Sequence, residues 1–92
     1  MFENVFVSVI TPTYNDERFV EQTIRSVLNQ THKNLELIIV DDNSTDSTLR
    51  IISSINDSRI RLFENSKNMG AAYSRNKALL EARGDYVAFL DG

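Results

Sequence analysis

The chain has 92 residues, a formal net charge of −3 and no cysteine. That length allows one domain or part of one, and a hydrophobic fraction of 41% supplies a single core. Basic residues scattered singly exclude a nucleic-acid surface, which needs clustered Lys and Arg, and without cysteine neither a disulfide framework nor a thiolate zinc site can form. The lone His32, in the polar turn "QTHKN", has no partner for a histidine metal site or a catalytic pair and reads as a surface residue. No stretch approaches the ~20 apolar residues of a membrane span. The opening "MFENVFVSV" lacks the regions of a signal peptide, so a cytoplasmic location is the default and the "NQT", "NST" and "NDS" triplets carry no meaning.

In chain order, "VFVSVIT" (Val5 to Thr11) is β-branched and continuously apolar, the pattern of a strand covered on both faces. Pro12 lacks an amide donor and is expected to end its pairing. Asn15 or Asp16 can cap a helix over "DERFVEQTIRSVLNQ", with Phe19, Val20, Ile24, Val27 and Leu28 on its inner face. "LELIIV" (Leu35 to Val40) is a second strand. Ser44 or Thr45 can cap a helix over "STLRIISSI", with Leu49, Ile52 and Ile55 inward. "RIRLF" (Arg59 to Phe63) reads as a third strand near an edge, its arginines guarding that edge. "AAYSRNKALLEAR" is a third helix stopped by Gly84, and "DYVAFLD" is a fourth strand. Right-handed crossovers then predict an α/β half-Rossmann unit, a parallel sheet in the order 3-2-1-4 flanked by helices.

All strands of such a sheet point one way, so the residues just after them share one rim, where ligands bind. Here the rim carries "TPTYN", "DDNS" and "LDG", which brings Asp41, Asp42 and Asp91 together. Three carboxylates on one edge repel unless they hydrogen-bond to a ligand or share a cation; the plainer alternative for "DDNST" is a turn followed by a helix cap. The first loop has no Gly-x-Gly-x-x-Gly, so the usual dinucleotide route is absent. Pro12 and Tyr14 offer instead a stiff, flat wall for a base, although Tyr14 equally suits packing. Asp42 can accept the imide N–H of uracil, which cytosine lacks. Arg75, near the start of the third helix, can face phosphates together with the helix amides, or sit on the surface or pair with an aspartate.

"VSVITPTYN", "SVLNQTHKNLELIIVDDNSTDST", "NMGAAYSRNKAL" and "GDYVAFLD", in this order and spacing, resemble the amino-terminal half of a family 2 glycosyltransferase across nearly the whole chain. The resemblance implies a GT-A fold, here truncated, with residues 1–92 as the amino-terminal nucleotide-sugar-binding part of the domain. It implies inverting transfer from a nucleotide-activated sugar, usually a UDP-sugar, with Mg²⁺ or Mn²⁺, to a glycan, glycoprotein or glycolipid acceptor. Pro12, Tyr14 and Asp42 would line the base pocket, Arg75 would lie near the diphosphate or the acidic motif, and Asp91 would be the first acid of an Asp-x-Asp motif that binds the metal. "LDG" would open an "LDGDD" stretch, with the most direct metal acid still to come.

In this family the acceptor site and the catalytic base lie in the second half, so no residue of this chain takes that role. The chain alone is then expected to be inactive, to bind metal weakly or not at all, and to self-associate through its exposed fourth strand. Attachment of the parent enzyme to a membrane periphery is left open. The rival reading is a non-catalytic assembly or interaction module that keeps the half-fold. A phosphate-accepting signalling domain would carry its acids after the first and third strands, whereas these follow the second and fourth.

Overall fold

The computed structural model describes residues 4–90. Four strands, β1 (Val7–Thr13), β2 (Leu35–Asp41), β3 (Ile60–Glu64) and β4 (Tyr86–Phe89), alternate with three helices, α1 (Val20–Leu28), α2 (Thr48–Ser54) and α3 (Ala71–Glu81). All neighbouring strands pair in parallel in the order β3-β2-β1-β4, the order the crossovers predict.

Strand β2 lies inside the sheet between β1 and β3, and all seven of its residues are buried. Alternation along the strands divides the core in two. Val9, Leu37 and Ile39 point to one face, where they meet Val20, Ile24, Val27 and Leu28 of α1 and Ile52 of α2. Ile10, Ile38 and Val40 point to the other, where the buried apolar contact from α3 is Ala78. The α3 face is therefore thin in apolar material, and polar groups complete its packing at both ends of the helix.

One such group lies at the start of the strands. Glu36 is buried and accepts hydrogen bonds from the Ser8 hydroxyl (2.6 Å), the Arg83 amide (2.8 Å) and the Arg61 guanidinium (3.0 Å). Burial alone would push its pKa up, but these donors and the positive charge of Arg61 hold it below the ordinary glutamate value. Arg61 also reaches the Glu81 backbone carbonyl (2.7 Å) and carboxylate (3.1 Å), tying β3 to the end of α3. Arg61 thus points inward as a structural ion pair, where the alternating charge of "RIRLF" suggests an edge guard.

Several boundaries depart from the sequence reading for local reasons. Pro12 does not end β1; the strand continues to Thr13, with Pro12 opposite Val40. The Thr13 carbonyl faces β2, accepting from Asp42 N, and the Ile10 carbonyl faces β4, accepting from Leu90 N. By alternation the missing amide of Pro12 falls on the β4 side, beyond that strand's last paired residue Phe89, so no ladder bond is lost. Helix α1 begins at Val20 after a turn closed on the Asp16 carbonyl, and Phe19, outside the helical phase, is 53% exposed beneath the Arg18 guanidinium. Neither α1 nor α2 has a side-chain cap bond from its N-cap residue; Asn15 and Ser44 serve the rim instead.

Helix α3 stops at Glu81, before Gly84. Glycine is required there by close approach: an added Cβ would lie 2.6 Å from the Ser8 amide nitrogen and 2.7 Å from its hydroxyl. His32 is half-buried, with Nε2 2.8 Å from the Val5 carbonyl oxygen, so it anchors the chain leading into β1.

Candidate functional site

The rim lies at the carboxyl ends of β1 and β2. A cavity of about 390 Å³ opens there, walled by Pro12, Thr13 and Tyr14 from β1 and its loop, by Ala71, Ser74 and Arg75 from the start of α3, and by Asp42 from the end of β2. Four of the residues singled out in the sequence, Pro12, Tyr14, Asp42 and Arg75, thus meet around one space. The fifth, Asp91, lies outside the described residues. Tyr14 is 51% exposed, so its ring is a wall rather than core.

The two adjacent aspartates point to opposite faces, as alternation along a strand requires. Asp41 turns to the α2 side and is fully buried. It accepts from the Thr13 hydroxyl (2.7 Å), the Ser44 amide (2.8 Å) and the Ser44 hydroxyl (2.7 Å). The turn reading of "DDNS" holds for Asp41, which takes two of its three bonds from Ser44 of that turn and the third from Thr13 on β1.

Asp42 turns to the α3 side and is 5% exposed. Its Oδ1 accepts from Met69 N (2.7 Å) and Asn65 Nδ2 (2.9 Å), and its Oδ2 accepts from Gly70 N (2.9 Å). Burial works against its charge, but the hydrogen bonds from Met69, Asn65 and Gly70 prevail and hold its pKa below the ordinary aspartate value. A carboxylate offers about four acceptor positions, two per oxygen. One on Oδ2 is therefore unclaimed by these three bonds, in a residue that lines the cavity.

The loop between β3 and α3 supplies these donors, and sequence reasoning passed over it. The available signal was "NMG": a glycine directly before a helix, whose φ of 93° is the left-handed conformation that turns its amide onto Asp42. Asn15, also at positive φ (47°), accepts from Thr45 N (2.8 Å), and its own amide donates to Ser44 Oγ (2.9 Å), so the first two rim loops are stitched together. Behind them Asp16 has one buried carboxylate oxygen without a hydrogen bond, and burial together with the charge of Asp46 pushes its pKa up.

No group of three or more His, Asp or Glu side chains converges as a metal set among the described residues. Asp41 and Asp42 are both committed to donors of their own chain, so the described residues do not by themselves fit a divalent cation. Among the described residues no helix is long and apolar enough to cross a membrane.

A parallel sheet in this order, with its cavity on the carboxyl rim, is the architecture of the amino-terminal part of GT-A glycosyltransferases. It superposes on S. aureus TarS 1-349 in complex with UDP-GlcNAc with a TM-score of 0.84 (35% identity, 92% of this chain and 26% of that one). With the mannosyltransferase PcManGT from Pyrobaculum calidifontis, in complex with GDP-Man and Mn²⁺, the TM-score is 0.81 (33% identity, 92% and 26%). The chain belongs to Glycosyl transferase family 2, whose profile matches residues 8–92. Over 85 residues it is 51% identical to the Escherichia coli UDP-Glc:alpha-D-GlcNAc-diphosphoundecaprenol beta-1,3-glucosyltransferase WfaP, a match covering 92% of this chain and 34% of that protein. The chain spans about a third of the length of the first curated relatives it matches.

Proposed function

We propose that this chain is the nucleotide-sugar-binding part of an inverting glycosyltransferase and that the rim cavity holds the nucleotide of a UDP-sugar. The observation that carries this reading is Asp42: an ionised, immobilised carboxylate with a spare acceptor position in a cavity walled by an exposed tyrosine. Tyr14 and Pro12 take the flat face of the base, Asp42 accepts its ring N–H, and Arg75 meets the diphosphate with the amino end of α3. Asp91 is the acid proposed for Mg²⁺ or Mn²⁺, whose chemistry would be to neutralise charge on the leaving diphosphate. The transfer reaction is direct displacement at the anomeric carbon with base-assisted attack by the acceptor hydroxyl. No described carboxylate at the rim is assigned the base role, so this chain alone carries out no transfer.

The diphosphoundecaprenol acceptor in the name of the E. coli relative supports a glycolipid acceptor here, and with it a cytoplasmic enzyme working at the membrane periphery. A second reading is favoured by one observation: all four residues of β4 are exposed along the sheet edge, with Phe89 at 55%. An unpaired apolar edge of this kind favours self-association of the chain.

Calorimetric titration with UDP, CDP and GDP, with and without Mn²⁺, tests the cavity. The expected result is a preference for UDP at a Kd of roughly 0.1–1 mM, about −4 to −5.5 kcal/mol. Equal affinity for UDP and GDP would overturn the base-pocket assignment.

A further inference from the structure

We infer that Asn65 is a positioning residue for base recognition: its carboxamide, oriented by Ser74 and Lys77, holds the Asp42 carboxylate so that the spare acceptor position on Oδ2 faces the cavity. The inference rests on the reading of that cavity as the nucleotide site.

Asn65 is itself buried, at 5% exposure, and both polar atoms of its side chain are hydrogen-bonded. One Nδ2 hydrogen goes to Asp42 Oδ1 (2.9 Å) and the other to Ser74 Oγ (3.0 Å), while Oδ1 accepts from Lys77 Nζ (3.2 Å). Turning the amide over would set its oxygen against the Asp42 carboxylate and its NH₂ against the Lys77 ammonium. Both contacts would become repulsive, so one orientation is imposed. The ammonium also polarises the amide and strengthens its donation to Asp42.

The backbone supports the same role. Asn65 N donates to the Asp41 carbonyl (2.8 Å), extending the β2–β3 pairing by one bond. Four residues later the chain returns to Asp42 through Met69 N, and then through Gly70 N. Asn65 thus sits at the base of a loop whose two ends grip one carboxylate, and it links that carboxylate to Ser74 and Lys77 in the body of α3. Among the described residues, the charged and titratable groups beside Asp42 and its cavity are Lys77 and Arg75 from α3, Tyr14 across the cavity, and Asp41, which faces the opposite side of the sheet.

The test compares the wild-type chain with Asn65→Leu, of similar volume but without the donor, and with the milder Lys77→Met. Two quantities are read in protein whose NMR spectrum is that of a folded chain. One is the titration midpoint of the Asp42 carboxyl carbon without nucleotide; the other is the ratio of UDP to CDP affinity at neutral pH. Asn65→Leu should raise the midpoint and lower the UDP preference about ten-fold, the loss of one charge-assisted hydrogen bond. Lys77→Met should move both in the same direction by less. A raised midpoint with an unchanged UDP preference would overturn the inference, leaving Asn65 a support of the fold only. If Asn65→Leu does not fold, an unchanged midpoint and preference in Lys77→Met overturns it equally. Wild-type protein that binds UDP and CDP alike would overturn the cavity reading, and this inference with it; that failure is recognisable because it appears before any substitution.

Discussion

The two ends of α3 solve the same problem with opposite consequences. The face of the sheet under this helix has little apolar core, and each end of the helix is seated on a buried carboxylate held by three donors. At the carboxyl end, Glu36 is matched by a full positive charge, and Arg61 is fastened in turn to Glu81. At the amino end, Asp42 is held by two backbone amides and a neutral carboxamide, with a cavity beside it. A carboxylate neutralised by arginine is a fastening. One held by neutral donors and opening on a cavity, as Asp42 does, can still recognise a ligand.

The comparison breaks most visibly at Arg61. Removing one partner of a buried ion pair leaves the other charge uncompensated, so Arg61→Ala should cost about 3 kcal/mol of stability in urea denaturation. Its UDP affinity, measured where the protein is folded, should match wild type. A loss of affinity would mean that the two ends of α3 are not independent.

At the other end the balance reverses. Asp42→Ala should weaken UDP binding by about 1.5–3 kcal/mol, roughly ten- to a hundred-fold, in the same calorimetric titration. Unchanged affinity would show that the carboxylate serves the loop alone.

The outer edge beside the helix gives a smaller effect. Phe89→Lys should shift any dimer or larger assembly towards monomer in light scattering, by placing a charge on the exposed edge strand. A wild-type chain that stays monomeric at millimolar concentration would remove the case for association through β4.

The smallest effect belongs to Asp16, the rim carboxylate whose pKa is raised rather than lowered. A raised carboxylate pKa favours the fold at low pH, and that contribution is lost as pH rises through the folded value. Asp16→Asn should therefore be slightly more stable than wild type at neutral pH, within about 0.5 kcal/mol, with the difference shrinking in acid. Asp42 and Glu36 have the opposite sign. Their contributions are present above the unfolded carboxylate pKa and are lost as pH falls through their lowered folded values.

The linear pattern of residues determined the architecture. Continuous β-branched runs and helical periodicity set the four strands, the three helices, their order in the sheet and the rim on which Pro12, Tyr14, Asp42 and Arg75 meet. These features follow from local sterics and from the handedness of crossovers, both of which can be read along a chain. Where elements begin and end was less legible, because the β1 extension through Pro12 and the need for glycine at position 84 depend on what lies across the sheet. The roles within "DD" were decided only by the tertiary structure. Two identical side chains one residue apart face opposite sides of a strand, and donors from residues 13 and 44 close around one while residues 65, 69 and 70 close around the other. The donors for Asp42 lie more than twenty positions away, so no local pattern distinguishes the carboxylate that opens on the cavity from the one buried on the opposite face.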